Sequence, residues 1–224
     1  VFAYQGNASL AIYNYNRALK IDPHNADAHN NLGIALAEQG KTDEAIEHYF
    51  RALEINPDFA EAHNNLGNIL KDRGKTDEAI YHYSRALEIA PGYAKTHYSL
   101  GHLYAGKGRL EEALLEFYEA LKIDPDNPDV HTYIGKILLR QGTPDEAIDH
   151  FEAALTSNPD HFSARYTLGV ALLRQRNFEK AADHLLKARE VNPYDPDVYR
   201  DLGIAMGNMG RFKEAAAYLS EALN

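Results

Sequence analysis

Cysteine is absent from this 224-residue chain. Disulfides, thiol catalysis and cysteine-bound metal are therefore excluded, and the compartment is left open, with the cytoplasm as the default. No apolar run approaches the roughly 20 residues that cross a bilayer, so no membrane contact by this chain is expected. The first residues show no secretory-leader pattern. A basic excess is missing as well: 23 Lys and Arg stand against 33 Asp and Glu, a formal net charge of -10. Phosphate backbones call for a basic footprint, so a nucleic-acid partner is not expected. There is no zinc-protease H-E-x-x-H, no phosphate loop and no G-x-S-x-G elbow. With no catalytic constellation, the chain reads as a non-enzyme without cofactor or metal.

One regularity remains, and it is strict. Pro23, Pro57, Pro91, Pro125, Pro159 and Pro193 are each 34 residues from the next. A fixed period of this length means one structural unit copied in tandem, and a repeat array forms an elongated domain whose copies contact only their neighbours.

The unit can be read from residues 26–59. His29, Leu32, Gly33 and Leu36 fall at i, i+3, i+4 and i+7, one face of a helix. Gly40 sits where a helix would end in a left-handed turn. Thr42 is in place to cap a second helix, and Asp43 and Glu44 suit the positive end of its dipole. Ala45, Tyr49, Ala52 and Leu53 share one face of that second helix, and Asn56-Pro57-Asp58 ends it. Each unit is thus expected to be a hairpin of two helices of about 12–14 residues. Leu66-Gly67, Leu100-Gly101, Ile134-Gly135, Leu168-Gly169 and Leu202-Gly203 repeat the Leu32-Gly33 pair. A helical glycine costs about 1 kcal/mol against alanine, so recurrence at one phase needs a compensation. The expectation is close approach of the two backbones, glycine against the second-helix alanines. The turn glycine recurs at Gly74, Gly108, Gly142 and Gly210, but Arg176 breaks the series, which marks that turn as strained.

This constellation resembles the tetratricopeptide repeat family: a 34-residue period with Leu-Gly, Ala, aromatic, Ala and Pro in fixed phases. The resemblance implies an all-α, right-handed superhelical solenoid of helix-turn-helix repeats forming a single array. A partial repeat at 1–25 is followed by full repeats at 26–59, 60–93, 94–127, 128–161 and 162–195 and a partial repeat at 196–224. The family's first aromatic is replaced by His29, His63, His97 and His131, then by Arg165 and Tyr199. Gly6, in phase with Gly40, is expected to end a first helix already under way at Val1. With no polar closing helix after Leu223, the chain reads as a piece of a longer array.

His48, His82, His150 and His184 share a second phase. Equivalent positions in neighbouring repeats lie a helix packing distance apart, too far for one metal ion, so repeated packing or surface histidines are expected. The pairs Asp43-Glu44, Asp77-Glu78, Glu111-Glu112 and Asp145-Glu146 recur at helix starts, which makes them dipole partners rather than catalytic dyads.

The resemblance further implies that first helices line a concave groove. Residues flanking the Leu-Gly stripe there fall into two zones. Asn30, Asn31, Asn64, Asn65 and Asn68 occupy the early repeats, and Tyr98, His102, Tyr133, Lys136, Arg140, Tyr166 and Arg174 the later ones. An asparagine offers both donor and acceptor to a peptide main chain. The arrangement is similar to the asparagine ladder of O-linked N-acetylglucosamine transferase arrays. Here only Asn31 and Asn65 hold the ladder phase before it becomes Ser99, Tyr133, Thr167 and Asp201. Tyrosines with Arg and Lys suit an acidic peptide or a free C-terminus. The two-carboxylate clamp of chaperone-tail binders is not assembled, since Lys95 and Lys136 lack its partner residues. A plain solvated helix face is the competing explanation for both zones. The function expected is a scaffold that binds a peptide or protein in its groove. The alternatives are the regulatory arm of a larger enzyme such as a glycosyltransferase, and an assembly protein that self-associates through uncapped repeat ends.

Overall fold

The computed structural model describes residues 2–223, with side chains from residue 8 onward. All regular structure among the described residues is helical. The helices are α1 (Phe2–Ile21), α2 (Ala26–Glu38), α3 (Thr42–Ile55), α4 (Ala60–Asp72), α5 (Thr76–Ile89), α6 (Ala94–Gly106), α7 (Leu110–Ile123), α8 (Pro128–Gln141), α9 (Pro144–Ser157), α10 (Phe162–Arg174), α11 (Phe178–Val191), α12 (Pro196–Asn208) and α13 (Phe212–Glu221). Packing follows chain order. α2 lies on α3, α4 on α5, α8 on α9, α10 on α11 and α12 on α13, and α3–α4, α5–α6, α9–α10 and α11–α12 join successive hairpins. The chain divides into two compact units, the first reaching Glu116 and the second starting at Phe117.

Helix ends follow from local chemistry. The residue before a proline is pushed out of the helical region. Asn56, Ala90, Asn158 and Asn192 accordingly sit at φ of -130°, -139°, -137° and -129°. At the other turn, Gly40, Gly74, Gly108, Gly142 and Gly210 all have positive φ, and Arg176 holds the same conformation at 62°. A left-handed residue with a Cβ costs about 1–2 kcal/mol, so the strain expected at Arg176 is present. Thr42 does not cap α3. The N-cap is Lys41, without a side-chain hydrogen bond, and the Thr42 hydroxyl reaches only the Gly40 carbonyl at 3.3 Å. True side-chain caps fall on first helices, where Asn25 accepts from the Ala28 amide and Asn127 from the Val130 amide. α1 also runs unbroken through Gly6. A glycine inside a helix costs only about 1 kcal/mol against alanine, so the backbone stays helical there.

The recurring helical glycines make room first for a large side chain, and at Gly169 and Gly203 also for the second-helix backbone, where an added Cβ would lie 3.4 Å from the Ala181 carbonyl oxygen and 3.3 Å from that of Ala215. A Cβ on Gly33 would lie 2.7 Å from the Tyr49 ring, on Gly67 2.7 Å from the Tyr83 ring and on Gly135 2.6 Å from the Phe151 ring. On Gly169 and Gly203 it would meet Leu185 at 2.8 Å and Leu219 at 2.6 Å. The compensation for glycine is thus a large apolar side chain, 16 residues on, lying flat across the first helix. Tyr83, Phe117 and Phe151 are fully buried. Such burial stabilises by about 1.5–3 kcal/mol per side chain, more than the glycine forfeits. The core of the first unit runs through Leu32, Leu36, Tyr49, Leu66, Leu70 and Tyr83. In the second unit Leu185, Val198, Leu202 and Met206 form one such cluster.

The acidic residues at helix starts do occupy first turns, as their charge requires. The aspartates have a further role. Arg73 donates to Asp43 at 2.6 Å and Gln175 to Asp145 at 2.8 Å, each link joining one repeat to the next. These contacts are exposed and each is worth at most about 1 kcal/mol.

Candidate functional site

In the first unit the asparagines form an ordered polar face whose amides are partly engaged with one another. Asn65 Nδ2 on α4 donates to Asn30 Oδ1 on α2 at 3.1 Å. Thr96 on α6 donates to Asn64 Oδ1 at 2.6 Å. The Tyr83 hydroxyl donates to Asn68 Oδ1 at 2.8 Å. Burial pushes the Tyr83 phenol up to about 12, against a hydrogen bond from Ser99, so it stays a donor. Three hydrogen bonds thus fix which way the amides of Asn30, Asn64 and Asn68 point.

Asn30 departs from the sequence expectation. It is only 1% exposed, turned toward the next first helix, and cannot be presented to a ligand. Its place is that of a support for Asn65. Asn31, Asn64, Asn65 and Asn68 are half-buried, as a lining residue would be. Tyr98 and His102, grouped by sequence with the later zone, belong to the first unit, where their rings lie 6.5 Å apart on α6.

In the second unit the equivalent faces of α8, α10 and α12 carry aromatics and charges. Tyr133 stacks on Phe117 with centroids 5.7 Å apart, and Tyr166 on Phe162 at 6.1 Å. The Lys136 ammonium lies 5.4 Å from the Tyr133 ring centre and donates to the Ser163 hydroxyl at 2.8 Å. Burial holds its pKa below the usual lysine value, with the nearby Arg140 charge adding to the effect and Asp129 opposing it. Tyr166 donates to Asp201 Oδ2 at 2.9 Å, and burial together with that bond raises its pKa. Asp201 is 6% exposed and also accepts from Arg200 Nε at 3.0 Å. Arg140 and Arg174 are exposed in the last turns of α8 and α10, where a cation also complements the negative helix end. Arg200 was not singled out by sequence. Its signal was the carboxylate of Asp201 in the ladder phase, which requires a cation when buried.

A second arrangement, within each hairpin, went unread in the sequence. The first-helix histidines pair with second-helix residues 19 positions on. His29 Nδ1 lies 2.9 Å from His48 Nδ1, His63 Nδ1 2.9 Å from His82 Nδ1, and His131 Nδ1 2.9 Å from His150 Nδ1. His97 Nδ1 instead meets Glu116 Oε2 at 2.7 Å. The other ring nitrogen of each first-helix histidine faces the carbonyl of the repeat proline, at Pro23, Pro57, Pro91 and Pro125. Arg165 and the Tyr199 hydroxyl make the same bond to Pro159 and Pro193. His184, opposite Arg165, is left with a buried Nδ1 that has no hydrogen-bond partner. Among the described residues, no group of three or more His, Asp or Glu could hold a metal, and no helix is long and apolar enough to cross a membrane.

Comparison with known proteins agrees with this architecture. The family model described as TPR repeat matches residues 1–40, 67–108 and 103–142, just over half of the chain. The chain belongs to the tetratricopeptide repeat family. Models described as Tetratricopeptide repeat also match 134–196, 26–59 and 48–81. No curated protein sequence is significantly similar to this repeat chain. Among solved structures it is similar to YrrB, a TPR protein with an unusual peptide-binding site. That match has a TM-score of 0.73 at 24% identity, over 88% of this chain and 97% of YrrB. PilF of Pseudomonas aeruginosa matches with a TM-score of 0.73 at 23% identity, over 86% of this chain and 88% of that one. The APC/C hetero-tetramer Cut9–Hcn1 matches with a TM-score of 0.68 at 19% identity, over 98% of this chain and 43% of that one. At these identities the likeness is one of fold.

Proposed function

We propose that this tetratricopeptide repeat chain is a protein-interaction scaffold that binds extended peptide along the exposed faces of its first helices. The observation that carries the reading is a set of half-buried polar side chains beside the Leu-Gly stripe of successive first helices, several of them held in place by hydrogen bonds from helix to helix. In the first unit Asn31, Asn64, Asn65 and Asn68 would bond a peptide main chain whatever its sequence. In the second unit Tyr133, Lys136 and Tyr166, with Arg140 and Arg174 at the rim, would favour acidic peptide. A solved neighbour named for its peptide-binding site supports the class of ligand, and an acidic chain with no metal cluster among its described residues gives no support to catalysis.

The test is a peptide-array screen on the chain and two variants. Asn31→Ala with Asn65→Ala should weaken binding of all peptides by about 1 kcal/mol per lost bond. Lys136→Ala, Arg140→Ala and Arg174→Ala together should weaken acidic peptides selectively, and raised salt should mimic that loss. Binding that survives both sets would place the partner elsewhere. A second reading, association with other repeats or another copy, draws on Ile204, Phe212 and Leu219 of α12 and α13, which are 44%, 73% and 42% exposed. Concentration-dependent mass by light scattering separates the two.

A further inference from the structure

The histidine pairs have a geometry that fixes their protons. A proline carbonyl can only accept, so Nε2 of His29, His63 and His131 carries hydrogen. In the neutral ring Nδ1 is then an acceptor, and the facing Nδ1 of His48, His82 or His150 must be the donor. Ring centroids in all three pairs are 5.2 Å apart. That is the 2.9 Å nitrogen separation plus one ring radius at each end, so the two nitrogens point at each other along a line. A metal ion, which needs both lone pairs converging on a point about 2 Å from each nitrogen, does not fit. One hydrogen does.

We propose that these three contacts make the chain acid-labile: each pair holds one hydrogen between its Nδ1 atoms and no second, so charging both rings opens that hairpin. A first added proton can enter at Nε2 of the second-helix ring and leave the contact intact. A second must go to Nδ1 of the first-helix ring, which sets two N–H groups head to head at hydrogen-bond distance. The hairpin carrying His97 is built differently. There both ring nitrogens face acceptors, Pro91 and Glu116, so a ring that carries hydrogen on both nitrogens keeps both contacts.

The surroundings favour the neutral pairs. His48 is held below its ordinary value first by burial, then by His29, against Glu47 and Glu44 on α3, while His24, Arg51 and Glu54 line the open cleft beside His29. Burial lowers His63 too, with Arg85 on α5 adding to it and the Pro57 carbonyl and Asp58 opposing it. His82 is pushed down to about 4 by burial and by His63, against Glu78, and is packed edge-on by the Phe50 and Tyr81 rings. His150 is lowered by burial and by His131, against Asp149, and the Tyr118 ring lies 6.0 Å from it. Histidines depressed in the folded state bind fewer protons than in the unfolded chain. Their stabilisation is present above the ordinary value of 6.5 and is lost as pH falls toward the folded value. If the first-helix faces bind peptide as proposed above, acid would release it, since His29, His63 and His131 adjoin those faces. That clause rests on the binding reading, and the test below does not.

Chemical denaturation of the 224-residue chain should be followed at pH 7.5 and 5.5, above the range where carboxylates dominate acid unfolding. His82 alone should raise the unfolding constant about ten-fold over that interval. In the variant His48→Gln, His82→Gln, His150→Gln, an amide can turn either its donor or its acceptor to the first-helix ring, and the rise should shrink by about ten-fold or more, leaving the part that His63 and His184, also lowered by burial, contribute. An undiminished rise in that variant would overturn the proposal. The unaltered chain gives a readout that needs no variant. Long-range nitrogen–proton NMR at pH 7.5 should find His48, His82 and His150 protonated on Nδ1 and His29, His63 and His131 on Nε2. Second-helix rings protonated on Nε2 instead, or titrating at the ordinary value, would refute it.

Discussion

The polar faces of the two units make the same connection with different chemistry. Asn30 to Asn65 in the first unit and Tyr166 to Asp201 in the second occupy equivalent repeat positions, and both join successive first helices. One link is amide to amide and neutral. The other is a phenol held by a buried carboxylate, with Arg200 as counter-charge. The register of the helices is therefore independent of the kind of bond that spans them. What differs is the surface that results: in the first unit a set of fixed amides, in the second, stacked rings with cations.

The comparison assumes that both faces rest on the same glycine-and-ring foundation. Gly67→Leu and Gly135→Leu should each destabilise by about 2–3 kcal/mol, since Tyr83 and Phe151 have nowhere to move. Thermal melts showing a large loss in one unit and none in the other would mean the foundations differ. A smaller effect should separate the links themselves. Asp201→Ala should cost about 2 kcal/mol, because a charged acceptor of two bonds is removed, and Asn30→Ala about 1 kcal/mol. Raised salt should narrow that gap by screening the half-exposed Arg200. Equal, salt-independent losses in denaturant titrations would erase the distinction. The smallest effect concerns the turns. Those of the first unit all use glycine, whereas the second contains Arg176 at φ 62°. Arg176→Gly should stabilise by about 1 kcal/mol, and a melt that does not rise would show the strain relieved by other means.

The period, the helical hairpin and the strained turn at Arg176 were legible because each repeats, or visibly fails to repeat, at 34 residues. Details that depend on how one helix is rotated against another were not. Neighbouring positions on a helix point about 100° apart, and that separates buried Asn30 from half-buried Asn31. Both had looked like groove residues. The space above the glycines suits alanine by size, yet a flat ring fills it at Gly33, Gly67 and Gly135 and a leucine at Gly169 and Gly203. The histidines share a phase from repeat to repeat, where they are far apart, whereas their contacts run across the hairpin, which the 34-residue period does not mark. Thr42 had the right chemistry for a cap and stood one residue inside the helix. Asp201 was visible as a break in the asparagine phase, but its tie to Tyr166 required the neighbouring helix.

The proline carbonyl at the end of each repeat accepts a hydrogen from an imidazole at four repeats, a guanidinium at the fifth and a phenol at the sixth. Three unrelated side chains fill one role, so the position asks only for reach and a donor. Whatever else the donor brings, a titrating ring, a permanent charge or none, is free to vary. A gene that lengthens by copying this unit can therefore alter one codon per copy and give each segment its own response to the medium, while the backbone around it stays the same.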